Sequence, residues 1–225
     1  DGVLVREENT PITSVISFKG ERAFVSYVEK DKEDLSACNL KLLKVGDHIH
    51  IKSTNHLKTL IAFSKELGIS TSVDMSWNTI SDLGNISPFL KDIDIFFLNE
   101  LEALCLCKAD NIQAAANYLL SKGCKIIIIK RGKNGSLLFT LDKTIKADSL
   151  PVEPLDTTGA GDSFSAGFLF GFLNGLNLEE SLIIANICGG LSVTALGGCT
   201  SSPTFLELQK SLKHYGYSFT LPKVR

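Results

Sequence analysis

Four consecutive isoleucines at residues 126–129 constrain the fold more than any other stretch of this chain. A strand that is apolar at every position is typical of a parallel sheet with helices on both faces. From about residue 45 onwards, strand-like and helix-like segments alternate. This alternation predicts an α/β fold with a right-handed, mostly parallel central sheet flanked by helices. Ligands bind such sheets at the carboxyl ends of the strands, so functional residues are expected there.

The predicted segments follow from β-branched runs, helical periodicity and glycine or asparagine punctuation. Predicted strands cover residues 47–51, 70–74, 93–98 and 125–129, and a predicted hairpin covers 137–140 and 144–147. Predicted helices cover residues 55–67, 111–121 and 162–174, then 177 to the break at 197–198, and 203–213. Asn177 and Glu180 have the spacing of a capping box at the start of the fourth helix.

The first 30 residues have a different pattern. β-Branched and aromatic runs at 12–18 and 23–28 flank a turn that contains Gly20, which predicts a β-hairpin. A charged break at 31–34 follows the hairpin. We therefore predict a small β-element over residues 1–32 and an α/β domain over residues 33–225.

Charge and hydropathy exclude several classes of partner. The 225 residues include 23 basic and 25 acidic side chains, and a formal net charge of −2 argues against a nucleic-acid-binding surface. No apolar run reaches the ~18–20 residues of a membrane span. The six cysteines are interpreted as buried free thiols in a reducing cytoplasm, and a metal site at Cys105 and Cys107 is the weaker alternative. His48 and His50 share one face of a strand, where a sheet-surface or pocket-rim role is favoured over metal binding.

The stretch DTTGAGDSF (residues 156–164) carries the strongest functional signal. Its glycines let several backbone N–H groups turn towards one point, and the helix that follows adds its positive N-terminal end. Such a turn suits a phosphate. Asp162 places a carboxylate beside it, which indicates a general base that takes a proton from an attacking hydroxyl. The alternative is a tight strand-to-helix turn in which Asp162 only caps its helix.

Two further motifs have structural alternatives of their own. NELE (residues 99–102) follows a predicted strand and is compatible with an ordinary helix start. KRGKNG (residues 130–135) follows the isoleucine run and is compatible with a solvated basic turn. Spacing alone favours the ordinary helix start for NELE, and it does not choose between a structural and a functional role for KRGKNG.

The longer stretch DTTGAGDSFSAGF (residues 156–168) resembles the second signature of the ribokinase-like (PfkB) sugar kinase family. The resemblance implies a ribokinase-like α/β fold with a small β-strand lid. It also implies that the N–H groups of Gly159, Ala160 and Gly161 form an anion hole for the γ-phosphate of ATP. Asp162 would be the catalytic base.

Other segments resemble the same family in the same order along the chain. NELE resembles its N-x-x-E motif, which implies that Glu102, and partly Asn99, organise Mg²⁺ and its waters around the ATP phosphates. KRGKNG resembles the loop that runs beside the nucleotide, and residues 185–186 resemble a segment that encloses adenine. The implied cofactor-binding residues are Asn99, Glu102, Lys130, Gly132, Gly135 and Asn186.

In ribokinase-type members, the corresponding segments also bind a monovalent cation, so the resemblance implies a K⁺ site. Its ligands would be mainly backbone oxygens, with Ser201 as the side-chain ligand. The implied residues are Asp156, Thr158, Ser192, Ala195, Gly197 and Ser201.

The N-terminal hairpin resembles the lid strands of the family, which close over the sugar and often form a dimer contact. DMSWN (residues 74–78) occupies the place of the family motif D-x-N-x-R, where Asp74 matches while Ser76 and Asn78 depart from the pattern. Members of the family begin with further residues that carry the first strands and the main sugar-binding groups. We therefore expect the natural protein to include an N-terminal portion that precedes this chain.

The resemblance implies an ATP-dependent kinase that phosphorylates a hydroxyl of a small fructose- or ribose-like sugar. A nucleoside or other small-alcohol kinase of the same fold is the first alternative. The second is a regulatory protein that binds nucleotide or sugar without catalysis, although a pure binder gains nothing from the Asp162 carboxylate.

Overall fold

The computed structural model describes residues 46–52, 57–75 and 87–222, together with the backbone of two strands near the amino end. It divides the chain into two compact units, Asp1–Gly46 and Asp47–Arg225. The first unit holds an antiparallel hairpin of β1 (Ile12–Phe18) and β2 (Glu21–Tyr27). The hairpin confirms the predicted β-structure, although the second strand begins two residues earlier than predicted. The predicted boundary near residue 32 lies outside the described residues.

The second unit is built on a six-stranded sheet with the order β3-β4-β5-β6-β7-β8. The first four of these strands are parallel, and β7 and β8 are antiparallel to their neighbours. The strands are β3 (His48–Lys52), β4 (Ser70–Asp74), β5 (Ile95–Asn99), β6 (Ile126–Lys130), β7 (Ser136–Phe139) and β8 (Thr144–Ala147). The mostly parallel sheet that the sequence predicts is therefore confirmed.

Helices connect and cover these strands. They are α1 (Leu57–Glu66), α2 (Glu100–Cys107), α3 (Ile112–Ser121), α4 (Ala160–Leu173), α5 (Leu178–Ser192) and α6 (Phe205–His214). The sequence predicted all of them except α2, of which it indicated only the start at NELE and not the extent. A 3₁₀ helix at Ser87–Asp92 was also not predicted. None of the helices in the described part of the chain is long and apolar enough to cross a membrane.

The isoleucine run shows why the sheet must be covered on both faces. Ile127 and Ile129 pack into a core with the helices α1, α2 and α3 on one face. Ile128 packs on the opposite face against Phe168 of α4 and Leu182 of α5. Successive side chains of a strand point to opposite faces, so a run without polar residues fills both cores.

Glycine lets α4 and α5 approach each other closely. A Cβ at Gly167 would lie 2.8 Å from the Cys188 sulfur, and one at Gly171 would lie 2.9 Å from the Ser181 hydroxyl oxygen. Both distances are shorter than real Cβ atoms tolerate, so these glycines serve packing. The contact fixes α4, whose first turn contains Gly161 and Asp162.

The cysteines only partly match the prediction of buried thiols. Cys124 and Cys188 are buried, and burial raises the pKa of each thiol to about 12. Cys105 and Cys199 are exposed, so for these two the prediction is wrong. Cys105 lies on the outer side of the unpredicted helix α2, which explains its exposure. Among the residues that the structure describes, no three His, Cys, Asp or Glu side chains form a cluster that could hold a metal ion.

Candidate active site

Each of the four parallel strands ends in a polar residue at the carboxyl edge of the sheet. The last residues of β3 and β4, Lys52 and Asp74, are paired in register. The last residues of β5 and β6, Asn99 and Lys130, are paired in the same way. Because parallel strands end at the same edge of a sheet, their C-terminal side chains converge on one site.

The turn before α4 has a geometry that only glycine tolerates. Gly159 is the N-cap residue with φ +75°, and a Cβ at this position would lie 1.9 Å from the carbonyl oxygen of Gly198. The first N–H groups of a helix have no partners within the helix, so those at this end are oriented outwards. The Ala160 N–H donates to the Thr157 carbonyl at 3.3 Å, so one of the three predicted anion-hole donors also closes the turn.

Asp162 lies exposed in the first turn of α4 and does not occupy the capping position. Gly159 is the N-cap and has no side chain that could cap the helix. The Asp162 carboxylate accepts no hydrogen bond from any residue in the described ranges. The structural alternative for this residue, a helix cap, is therefore not observed, and its carboxylate faces solvent beside the turn.

Asp156 joins the turn to the loop after α5. One carboxylate oxygen accepts the Thr158 N–H at 2.9 Å, and the other accepts the Gly197 N–H at 3.0 Å. The backbone N–H groups of Leu155 and Asp156 donate to the Val193 carbonyl at 2.8 and 3.2 Å. The structure therefore brings together the segments around Thr158 and Gly197, two of the predicted cation ligands. Ser192 is buried, and its hydroxyl donates to the Gly189 carbonyl at 2.9 Å.

A second network lies beneath the same turn. Lys130 Nζ donates to both carboxylate oxygens of Asp74, at 2.8 and 2.9 Å, and the Ser165 hydroxyl donates to one of them at 2.6 Å. A Cβ at Gly161 would lie 3.4 Å from Lys130 Nζ, so the ammonium lies against the first turn of α4. Lys130 was predicted to belong to a nucleotide loop, and no role was predicted for Ser165. The sequence feature that could have pointed to Ser165 is its hydroxyl group, which lies among mostly apolar residues of the helix, one turn after Asp162.

Asn99 and Glu102 form a complete capping box at the start of α2. The Glu102 N–H donates to the Asn99 side-chain oxygen at 2.7 Å, and the Asn99 N–H donates to a Glu102 carboxylate oxygen at 2.7 Å. Burial raises the pKa of the Glu102 carboxyl, while the hydrogen bond from Asn99 and the positive charge of Lys130 lower it. The helix-start interpretation of NELE is thus observed, and one carboxylate oxygen remains for a further role.

The loop after β6 folds back on itself. The Arg131 N–H donates to the Gly135 carbonyl at 2.9 Å, and a Cβ at Gly135 would lie 2.1 Å from the Ala147 carbonyl oxygen. Gly135 is therefore required by packing against β8, whereas Gly132 has open space around it. An open cavity of about 520 Å³ lies beside this loop and is lined by Arg131, Lys133, Asn134, Lys146, Asp148 and Ser149.

Two other predicted sites have internal partners. The Asn186 side-chain amide is buried and donates to the Ser136 hydroxyl at 2.6 Å, so it ties α5 to β7. His48 and His50 share one face, as predicted, and both contact the Ser72 hydroxyl, at 2.8 and 2.7 Å. Burial lowers the pKa of each of these histidines.

The fold and the site define an α/β protein in which the N-terminus of a helix lies beside an exposed carboxylate. Residues 1–205 match the family described as pfkB family carbohydrate kinase, and the chain belongs to this family.

A deoxyribokinase from Salmonella typhi is 29% identical over 214 residues, which cover 88% of this chain and 65% of that protein. The chain thus spans less than two thirds of that relative's length.

Two solved structures have the same fold. A candidate ribokinase II from E. coli in complex with ATP and Mg²⁺ is 25% identical, with a TM-score of 0.76 over 90% of this chain and 71% of that one. Arabidopsis thaliana ribokinase complexed with ribose and ATP is 24% identical, with a TM-score of 0.73 over 87% of this chain and 66% of that one. The ribokinase-like fold that the resemblance implied is therefore confirmed.

Proposed function

We propose that the protein is an ATP-dependent kinase that transfers the γ-phosphate to a hydroxyl of a small, fructose- or ribose-like sugar. One observation carries the proposal: the turn at Gly159 presents a helix N-terminus beside the exposed carboxylate of Asp162. An anion-binding turn with an adjacent base is the arrangement that phosphoryl transfer to an alcohol requires. Membership of the carbohydrate kinase family supports the same class of reaction.

The residues of the site fit Mg²⁺-bound ATP. The turn at Gly159 carries no side chain that could cover the helix N-terminus, and the ammonium of Lys130 lies next to Gly161. Glu102 is a buried acid whose pKa is raised by burial, and this burial cost would be offset by a nearby cation. Bound Mg-ATP would supply the phosphoryl group and a divalent charge that offsets the negative charge of the phosphates.

The chain's own residues would then divide the work as follows. The Asp162 carboxylate accepts the proton of the sugar hydroxyl as it attacks the phosphorus. The N–H groups of Gly159 and Gly161, with the end of the α4 dipole, hold the negative charge that spreads over the phosphoryl oxygens. Glu102 and Asn99 orient water molecules around the metal, while Gly132 and Asn186 border the nucleotide.

We also propose the finer assignments that the family resemblance implies. Residues 1–32 form part of a lid that closes over the sugar and mediates a homodimer, and residues 33–225 form the nucleotide-binding and catalytic domain. A K⁺ ion binds between the segments around Thr158 and Gly197, which Asp156 holds together. The protein works in the cytoplasm on a small molecule, without nucleic-acid or membrane partners.

The direct test is a panel of sugars and nucleosides, assayed for ADP release by the full-length protein with and without K⁺. Stimulation by one sugar with stoichiometric formation of its phosphate ester is the expected result. Stimulation only by nucleosides would replace the acceptor and keep the reaction class. ATP turnover that no hydroxyl compound stimulates would overturn the proposal in favour of a regulatory nucleotide-binding protein.

A further inference from the structure

The Asp74 carboxylate is a nearly buried charge at the carboxyl edge of the sheet. It is 7% exposed and accepts three hydrogen bonds, two from Lys130 Nζ and one from the Ser165 hydroxyl. A buried ion pair is weak evidence for stability, because desolvation offsets much of the attraction. The arrangement therefore needs a reason besides holding β4 to β6.

That reason lies in where the ammonium of Lys130 is held. Its Nζ is within 3.4 Å of the Cβ position at Gly161 and 5.9 Å from the ring centroid of Phe97. A lysine side chain has a flexible four-carbon stem and three donors, so without a partner it would sample many positions. Asp74 fixes the ammonium from the sheet side, and Ser165 ties the same carboxylate to α4. The Asp74 carboxylate therefore accepts hydrogen bonds both from α4, the helix that carries Gly161, and from β6, the strand that carries Lys130.

We propose that Asp74 and Ser165 are positioning residues that hold the Lys130 ammonium against the Gly161 turn, where it contacts the terminal phosphoryl group of a bound nucleoside triphosphate. The ammonium supplies one positive charge to that group, and no bond to phosphorus forms or breaks in the contact. The inference rests on the proposed function only in naming the ligand. A nucleotide without the terminal phosphates would not reach Lys130.

The affinity ratio of ATP to AMP is the measurement that isolates this contact. Both nucleotides would be titrated by calorimetry at a fixed Mg²⁺ concentration into the wild-type protein and the variant Lys130→Met. We expect the ratio to fall about 10–100-fold, the size of one lost charge-assisted hydrogen bond, with AMP affinity nearly unchanged. A variant that merely disturbed the fold would weaken both nucleotides together and leave the ratio intact.

Asp74→Asn tests the positioning role. We expect the ratio to fall about 3–10-fold, and the double variant with Lys130→Met to show no further loss, because Asp74 acts through the lysine. A ratio that rises in Asp74→Asn would show that the carboxylate competes with the nucleotide for the ammonium, and would overturn the proposal. Losses that multiply in the double variant would also overturn it.

Two further variants complete the test, one as a control and one as a milder substitution. Lys125→Met removes the lysine that immediately precedes β6 and pairs with Asp94 at the amino edge of the sheet, and it should leave the ratio unchanged. If the charge variants fail to fold, Ser165→Ala removes a single hydrogen bond and should lower the ratio about two- to fivefold; an unchanged ratio in Ser165→Ala would then count against the proposal.

The outcomes separate this inference from the proposed function. A wild-type protein that binds ATP no more tightly than AMP refutes the contact with Lys130, whatever its activity. A wild-type protein that prefers ATP through Lys130 but phosphorylates no acceptor refutes the kinase and leaves the contact standing.

Discussion

The two edges of the sheet use the same ion pair in different surroundings. At the amino edge, Lys125 pairs with Asp94 at 2.6 Å, and their side chains are 68% and 25% exposed. At the carboxyl edge, Lys130 pairs with Asp74 at 2.8 Å, and their side chains are 15% and 10% exposed. Exposed pairs contribute about 0–1 kcal/mol to stability, whereas removing one partner of a buried pair costs about 3–5 kcal/mol.

The comparison teaches where the chain keeps polar groups that stability does not require. The amino edge carries ion pairs in which the lysine is exposed to water, such as that between Lys65 and Asp92. The carboxyl edge keeps a charged pair and the Glu102 carboxyl out of water, beside a turn that tolerates only glycine. Buried charge and constrained backbone at the same edge mark the functional end of the sheet.

The largest effect should come from Asp162→Asn, which removes the proposed base at the carboxyl edge. We expect kcat to fall about 10²–10⁴-fold while the unfolding midpoint stays close to that of the wild type, because the side chain is exposed. The matched change at the amino edge, Asp92→Asn, removes an ion pair with Lys65, whose side chain is 63% exposed, and should leave kcat unchanged. Steady-state kinetics and thermal unfolding check both, and near-wild-type turnover by folded Asp162→Asn would refute the base.

Two glycines at opposite edges give the next test. Gly68 and Gly159 both have positive φ, +68° and +75°, but only the second is crowded. Gly68→Ala should cost about 1 kcal/mol of unfolding free energy and no activity. Gly159→Ala forces the turn away from Gly198 and should cost about 2–3 kcal/mol and at least about 10-fold in kcat/KM. Equal activity in the two variants would mean that the turn does not bind the phosphate.

A third test uses two capping boxes, one at the carboxyl edge and one on the surface at Asn177 and Glu180. Glu102→Gln keeps an acceptor oxygen for the Asn99 N–H and removes a charge that burial disfavours. Its unfolding free energy should therefore stay within about 1 kcal/mol of the wild type at neutral pH. Activity at low Mg²⁺ should fall about 10-fold and recover partly at high Mg²⁺.

Glu180→Gln is the control for that test, because its box lies away from the lysines of the site. It should change neither stability nor the Mg²⁺ dependence of activity. If both variants show the same Mg²⁺ dependence, Glu102 serves only as a helix cap.

The sequence predicted the features that depend on local patterns. The isoleucine run predicted a sheet covered on both faces, and Asn177 with Glu180 predicted the start of α5. The extent of α2 was not predicted, because its apolar residues lie all round the helix and give no one-sided pattern. Predictions of this kind succeed where a period of two or 3.6 is written into neighbouring residues.

The site was predictable only where a motif is continuous. The turn from Asp156 to Asp162 could be identified because its residues are adjacent. The bonds of Asp74 to Lys130 and Ser165 span 56 and 91 positions, so they depend on strand register and on the packing of α4. Neither follows from local periodicity, which is why the contacts of Asp74 and Ser165 that hold Lys130 could not be predicted.

The smallest expected effect is on the pH dependence of stability and concerns the histidines of β3. This strand runs from the amino edge of the sheet to its carboxyl edge. Burial lowers the pKa of His48, and the positive charge of His50 lowers it further, against the charge of Asp94 at the amino edge. Burial also lowers the pKa of His50, against the charge of Asp74 at the carboxyl edge. Histidines held neutral in the folded state contribute stability that is complete above their unfolded pKa and is lost as the pH falls below it.

Urea unfolding at about pH 7.5 and about pH 5.5 measures this loss. The wild type should be less stable at the lower pH, and replacing both histidines by glutamine should reduce that difference, because no charge then has to be accommodated beside Ser70 and Ser72. His214→Gln, on the exposed side of α6, should keep the wild-type difference. If the double variant keeps the full pH response, the acid sensitivity comes from the carboxylates. The histidines of β3 would then add nothing to the difference between the two edges.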